Sequence, residues 1–362
     1  MEHMTGTFGI NGFGRIGRLS VRVWHQYHQS NLSLVAINTS GSMDIEGWAH
    51  LLKYDTTYGL FPGEIGYEKY QASKDATDTD PLIGYLVIDN KYKIPVTAQR
   101  DPAKIPWGKY GAEVIIESTG AFTSEEKAKL HLQGGAKQVI ISAPAKGGNV
   151  PTSVIGVNEA AVMDKDRQNT LAVVNNASCT TNCVAPVAIV IHERLGISKA
   201  AMTTIHSYTD DQNLQDASHK DLRRARAAAH NIVPTSTGAA IATTETIPEL
   251  KGLFDGIALR VPTITGSLTD FTFLVKRPTT VEEVNKYFRQ ATLEDRLSGI
   301  LAVTDEPLVS SDIIGRRESA IVDLGLTQVI DGDLVKVFAW YDNEWGYACR
   351  CLDLAAHMAR QG

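Results

Sequence analysis

The sequence predicts an α/β chain of two domains. A doubly wound parallel sheet of the Rossmann type comes first, and an α+β catalytic domain with a mostly antiparallel sheet follows. Three observations carry this. The 362 residues exceed what one ordinary core organises. Near the start, an apolar strand runs into a glycine-rich turn and then a helix, the opening of a βαβ unit. Late in the chain, Phe271, Phe273 and Val275 alternate as one face of a strand. The expected boundaries are 1–178 plus 343–362 for the first domain and 179–342 for the second.

In the first domain, Phe8-Gly9-Ile10 is the opening strand, and Leu19 and Val23 mark the helix after the turn. Between them Gly12, Gly14 and Gly17 match G-x-G-x-x-G. The first allows a tight turn, the second lets the backbone approach a pyrophosphate, and the third lets helix and strand pack closely. The backbone from Gly12 through Arg15, Ile16 and Gly17 is therefore the candidate phosphate cradle. Leu32 to Asn38 is the second strand. It ends in Thr39-Ser40-Gly41-Ser42, where an NAD-binding fold usually carries a carboxylate for the ribose hydroxyls, and the nearest acid, Asp44, comes later. Glu68 to Pro81 reads as a polar hairpin or surface loop with strands Leu82 to Ile88 and Lys93 to Thr97 around it. Val114 to Ser118 and Val139 to Ser142 are further parallel strands. Thr123 and Glu126 predict a capping box whose helix runs to Gly134-Gly135. Arg100, Ser118, Thr119 and Ser142 fall at the ligand edge of this sheet.

The stretch that the rest serves is Ala177-Ser178-Cys179-Thr180-Thr181-Asn182-Cys183. A β-branched strand precedes it, and Val184, Val187, Ala188, Ile191 and Leu195 follow as one face of a helix. Cys179 thus starts a helix, where free N–H groups and the helix dipole are expected to lower its pKa and populate the thiolate. An isolated Cys is more often a small buried residue; polar flanks at an exposed backbone position reverse that weighing here. Pro186 predicts a late helix start or a kink.

In the second half, the strand Met202 to Ile205 delivers His206, a candidate base for a cysteine nucleophile. Thr209 to Val233 shows little apolar period and carries Lys220, Arg223, Arg224 and Arg226. A solvated charged face, a small nucleic-acid patch and a phosphate-binding loop are its three readings. Thr237 and Gly238 offer a hydroxyl and an N–H to an oxyanion, and Gly256 to Val261 is a strand holding Arg260. Thr280 and Glu283 predict a second capping box, with Val284, Tyr287, Phe288 and Ala291 inward behind it. Val335 to Trp340 is a strand, Asp342-Asn343 follows it, and a closing helix puts Cys351, Ala355 and Met358 on one face.

Hydrophobic residues at 43% and charged residues at 21% fit a soluble globular chain. A net charge of −6 argues against a dedicated nucleic-acid partner. No apolar run is long enough for a membrane span, and Met1 to Thr7 does not resemble a secretory leader. The four cysteines form no CxxC pair and no expected disulfide framework, which places the protein in a reducing, cytoplasmic compartment.

Ser178-Cys179-Thr180-Thr181-Asn182-Cys183 resembles the active-site signature of glyceraldehyde-3-phosphate dehydrogenases, and the resemblance runs from Phe8 to about Ala356. It implies phosphorylating oxidation of D-glyceraldehyde 3-phosphate to 1,3-bisphosphoglycerate, in glycolysis, gluconeogenesis or carbon fixation, by a homotetramer without a metal. It pairs Cys179 with His206 and places Arg100 and Ser142 near the adenosine and nicotinamide ends of the cofactor. It gives Asn343 the nicotinamide carboxamide. Ser178, Thr180, Thr209, Arg224, Thr237, Gly238 and Arg260 become ligands of substrate phosphate and inorganic phosphate. Relative to the family, Glu68 to Pro81 looks like an insertion, and Val261 to Gly266 departs from the usual wording. The missing carboxylate at Thr39 and Ser40, with Ser218 in Asp216-Ala217-Ser218-His219 resembling NADP-using photosynthetic members, favours NADP, alone or beside NAD. Two alternatives remain open: an erythrose-4-phosphate dehydrogenase, and a catalytically silent nucleotide-binding scaffold.

Overall fold

A computed structural model describes residues 6–167 and 171–359. The first five residues, part of the segment read for a leader, lie outside that range. The chain divides into two compact units. The described residues within Met1–Ser153, Ala160–Asn176 and Ala348–Gly362 form one, and Val154–Glu159 with Ala177–Tyr347 form the other. The segment from Asn343 to Tyr347 groups with the second unit, not with the first as expected. Asn343 is bonded to Ser207, Gly266 and Ser267, and Tyr347 donates to the Ala177 carbonyl.

The first unit opens with β1 (Gly6–Asn11), α1 (Arg15–Val23, continued by a π-helical turn over Trp24–His28) and β2 (Leu32–Thr39). It continues through α2 (Ile45–Lys53), the short pair β3 (Tyr54–Asp55) and β4 (Gly59–Leu60), then β5 (Ile65–Lys69), β6 (Leu82–Ile88) and β7 (Tyr92–Ala98). Next come α3 (Trp107–Tyr110), β8 (Val114–Glu117), α4 (Glu125–Ala128), α5 (Leu130–Gln133), β9 (Gln138–Ile141), α6 (Glu159–Arg167) and β10 (Val173–Asn175). The sheet order is β10-β9-β8-β1-β2-β7-β6-β5. The pairs from β10 to β7 are parallel and the last two are antiparallel. The parallel strands are apolar and buried without alternation, as Ile115, Ile116, Val139, Ile140 and Ile141 show. Strand order reverses between β1 and β8, which opens a crevice at the carboxyl ends.

Two local expectations change, and a third is resolved in favour of a hairpin. Ser124, not Thr123, caps α4 by accepting from the Lys127 N–H, and the predicted helix is two short pieces, α4 and α5. Its short polar side chain stands one residue nearer the first free N–H groups. Glu68 belongs to β5, which pairs antiparallel with β6, so the polar insertion is the connection of a hairpin.

The second unit contains α7 (Cys179–Leu195), β11 (Ile197–Ser207), β12 (Val233–Ser236), α8 (Ala239–Thr246), β13 (Phe254–Val261), β14 (Ser267–Val275) and α9 (Val281–Ala291). After these come β15 (Leu301–Thr304), β16 (Ala320–Asp323), β17 (Gln328–Ile330), β18 (Leu334–Tyr341) and the start of α10 (Trp345–Ala359). The order β12-β13-β11-β14-β18-β16-β15 is mostly antiparallel, with β11–β13 and β15–β16 as parallel pairs. Residues from α7, α8 and α9 bury one face in a single apolar cluster that includes Val187, Ile191, Phe271, Phe273 and Phe288. On the other face Ile205, Leu268, Leu274, Phe338 and Trp340 stay only half-buried. α7 starts at Cys179 and carries Pro186 inside it, so no late start occurs. The Ser178 side chain accepts the Thr181 N–H and fixes that start. Thr280 caps α9, but the Glu283 carboxylate takes the Thr279 hydroxyl and Arg277, so only half of the second capping box forms. Tyr287 stays half-buried while Val284, Phe288 and Ala291 are buried.

Candidate active site

The candidate nucleophile sits on a sharp turn. Ala177, with φ +53°, holds the left-handed conformation that a side chain seldom adopts, and it redirects the chain into α7. Cys179 follows as the first helical residue and remains partly accessible. His206, at the end of β11, brings Nε2 to 3.4 Å from the Cys179 sulfur. Its other nitrogen, Nδ1, lies 2.7 Å from the Ser207 carbonyl. A carbonyl only accepts, so Nδ1 carries the proton and Nε2 presents a lone pair to the thiol.

The electrostatics differ from the sequence expectation. Burial pushes the Cys179 thiol up, against the pull of Arg260 and of hydrogen bonds from Thr180. Burial, with Arg260, also pushes His206 down to about 3, against its bond to Ser207. The first helical turn is therefore not the main lever on the thiol. Moving one proton from sulfur to Nε2 leaves the net charge of the pair unchanged, so the imidazole is what makes the thiolate attainable.

Around this pair lies an anion-binding set. Arg260 Nη1 donates to the Thr209 hydroxyl at 2.5 Å, and its Nε is buried with no partner among the described residues. Arg224 Nε donates to the Thr235 hydroxyl at 3.0 Å, while its Nη1 reaches Asp211, which also takes the Thr209 hydroxyl. Burial would raise Asp211, but the Thr209 hydroxyl, Arg260 and Arg224 hold it below its ordinary value. A buried donor without a partner on one of two neighbouring guanidinium groups fits an oxyanion. Thr237 and Gly238 lie at the start of α8, and a Cβ built on Gly238 meets open space. Thr180 behaves differently. Its hydroxyl is buried 3.0 Å from the Tyr341 hydroxyl, which also bonds Thr204, so it supports the site from within. Sequence reading missed Tyr341, Asp211 and Ser207; only the run Thr209-Asp210-Asp211 hinted at the second.

Asn343 is held firmly. Its Oδ1 takes the hydroxyls of Ser207 and Ser267, both at 2.9 Å, and the Gly266 N–H at 3.2 Å. A backbone N–H can only meet an oxygen, so Nδ2 is left as an outward donor. The unusual stretch Val261 to Gly266 therefore supplies part of the grip on Asn343, with Gly266 at φ +86°.

In the first unit the glycine turn fits a dinucleotide. A Cβ on Gly12 would lie 2.8 Å from the Ser118 carbonyl carbon and the Thr119 nitrogen, and one on Gly17 would lie 2.0 Å from the Gly12 oxygen. One on Gly14 meets nothing within 4 Å, so space opens before the first N–H groups of α1. The Arg15 side chain pairs with Asp55. A cavity of about 400 Å³ lies at the strand ends, lined by Asn11, Asn38, Thr39, Ser40, Gln99, Arg100 and Thr119, among others. The Thr39 hydroxyl is not a ribose donor, because it is spent on the Thr97 carbonyl and the Gly41 N–H. Arg100 lies across the end of β2, its Nε on the Ser40 carbonyl at 3.2 Å. Ser142 follows β9 and is half-buried, and Ser218 is exposed in the arginine-rich loop of the second unit.

A doubly wound domain with a glycine-rich turn, joined in one chain to a domain with a thiol beside a histidine, is the layout of a dinucleotide-linked enzyme with a candidate cysteine nucleophile. Residues 7–125 match the family model "Glyceraldehyde 3-phosphate dehydrogenase, NAD binding domain", and 178–343 match "Glyceraldehyde 3-phosphate dehydrogenase, C-terminal domain". The chain is 48% identical over 351 residues to a glyceraldehyde-3-phosphate dehydrogenase of Zymomonas mobilis, covering 97% of this chain and 98% of the relative. It is 48% identical over 358 residues to that of Streptomyces coelicolor, covering 99% and 100%. It is 49% identical over 354 residues to the chloroplastic B form of Pisum sativum, covering 97% and 74%. The chain belongs to the glyceraldehyde-3-phosphate dehydrogenase family.

Proposed function

We propose that the protein oxidises D-glyceraldehyde 3-phosphate with uptake of inorganic phosphate. The observation that carries this is the 3.4 Å approach of His206 Nε2 to the Cys179 sulfur, with the tautomer fixed by Ser207. As sulfur adds to the aldehyde carbon, Nε2 takes the thiol proton. Nε2 passes that proton to the new oxyanion to give the thiohemiacetal, then takes it back from the hydroxyl as general base while hydride leaves the carbon, and a thioester on Cys179 remains. When bound, the dinucleotide supplies the hydride acceptor for that oxidation; the backbone of Gly12 to Gly17 would hold its pyrophosphate, and Asn343 Nδ2 its carboxamide. Phosphate oxygen then attacks the thioester carbon, the thiolate leaves, and the acyl phosphate departs. Arg260, Thr209 and Arg224 suit one anion, and Thr237 with Gly238 and Ser178 suit a second. Turnover that requires inorganic phosphate, or arsenate in its place, tests this; the free acid formed at full rate without either contradicts it.

NADP serves as cofactor, alone or beside NAD. In support, no carboxylate stands at Thr39 or Ser40, and Arg100 is the cation among the cavity's lining residues. A homotetramer in the cytoplasm completes the proposal. The half-buried face of the second sheet and the exposed Leu214, Leu222 and Ile232 of the arginine-rich loop suit contacts between copies. Light scattering at micromolar concentration gives the mass, and a monomer contradicts the tetramer.

A further inference from the structure

The polar insertion has no part in the chemistry above, yet two of its anchors meet Gln99, which lines the first unit's cavity, and Asp44, just past the turn that ends β2. Ser73 donates its N–H to Asp44 Oδ1 at 2.6 Å, and Lys69, at the end of β5, reaches Asp44 Oδ2 at 3.0 Å. Both oxygens of the acid nearest the end of β2 are thereby engaged. Beyond the turn, Asp78 accepts from Gln99 Nε2 at 3.1 Å and from Lys104 Nζ at 2.5 Å. Gln99 lines the cavity. Its backbone N–H and carbonyl grip the Asn38 side chain, and its Oε1 takes the Asp101 N–H. The residue held between those contacts is Arg100, whose Nε caps the Ser40 carbonyl. A Cβ on Gly41 would lie 3.8 Å from the Ser73 carbonyl, so the insertion also backs the Ser40–Ser42 turn.

We infer that residues 69–81 form a strap that selects a 2′-phosphorylated adenosine. Lys69 and Ser73 hold the Asp44 carboxylate in check, and Asp78, a positioning residue, seats the Gln99–Arg100 turn so that the guanidinium faces the ribose. This rests on the cavity taking the adenosine end of the dinucleotide. A negative group left loose beside the Ser40–Ser42 turn repels a second phosphate, whereas a seated guanidinium attracts it.

Adenosine 2′,5′-bisphosphate and 5′-AMP, titrated onto the full chain by calorimetry, report on this end alone. The parent is expected to bind the bisphosphate at least about tenfold tighter. Asp78→Ala should cut that preference roughly fivefold while leaving 5′-AMP within twofold. Asp78→Asn still accepts from Gln99 and should keep it. Lys69→Met should cut it as Asp78→Ala does. A general loss of fold would weaken both ligands alike and leave the ratio unmoved. The strap is overturned if Asp78→Ala or Lys69→Met keeps the parent ratio while binding 5′-AMP within twofold of the parent, or if Asp78→Asn loses as much as Asp78→Ala. A parent without preference overturns the cofactor reading itself, and the strap with it.

Discussion

The carbonyl of Ser207 accepts the Nδ1 proton of His206 at 2.7 Å, and the Ser207 hydroxyl donates to Asn343 at 2.9 Å. One residue thus sets the tautomer of His206 and orients the Asn343 amide.

Without the imidazole, the Cys179 thiol must ionise against burial alone. His206→Asn should slow alkylation by iodoacetamide at pH 7 by roughly 100-fold or more. The remaining rate should climb about tenfold per pH unit to beyond the ordinary thiol range. Peptide mapping of the label follows both. Unchanged labelling excludes His206 as the proton acceptor.

Asn343→Asp keeps an oxygen for the donors of Ser207, Ser267 and Gly266 and removes the outward Nδ2 donor. The dissociation constant for the dinucleotide should rise roughly 10- to 100-fold with little change in Tm. Fluorescence titration beside a melting curve decides it, and unaltered affinity contradicts the role given to Nδ2.

Asp353 gives a pH signature of stability. Burial would raise its pKa, but Arg350 and then His28 overcome this and hold it at about 2, below the ordinary 3.8. A depressed carboxylate stabilises the fold in full above 3.8, and that contribution is lost as pH falls toward about 2. Asp353→Asn should cost roughly 2 kcal/mol at neutral pH, with the difference from the parent vanishing near pH 2. Denaturant melts at several pH values test it; a constant difference contradicts it.

Thr39→Asp restores the carboxylate that NAD-selective folds carry. The ratio of kcat/KM for NADP to that for NAD should fall at least about tenfold. An unmoved ratio, or a parent without turnover on NADP, removes the reading of this strand end.

Much of the site was legible because its signals are local. A strand running into Cys179 and a helical apolar face after it fix the nucleophile's place, and three glycines at fixed spacing mark the cradle. What was not legible depends on partners far along the chain. The Thr180 hydroxyl turns inward because Tyr341, 161 residues later, meets it. The Thr39 hydroxyl closes onto Thr97, 58 residues away, instead of facing a ribose. The direction of the thiol shift was misjudged for the same reason. Helix polarity can be read from the sequence, whereas the desolvation imposed by the surrounding sheet cannot.

The most direct test is a rapid-mixing experiment on the parent with D-glyceraldehyde 3-phosphate and oxidised dinucleotide, quenched in acid and read by peptide mass spectrometry. Without phosphate, one acyl group per active site should accumulate as a thioester on Cys179 alongside a stoichiometric burst of reduced dinucleotide. Added phosphate should discharge it and restore turnover. An acyl group on Cys183, Cys349 or Cys351, or full turnover in the absence of phosphate, would contradict the account.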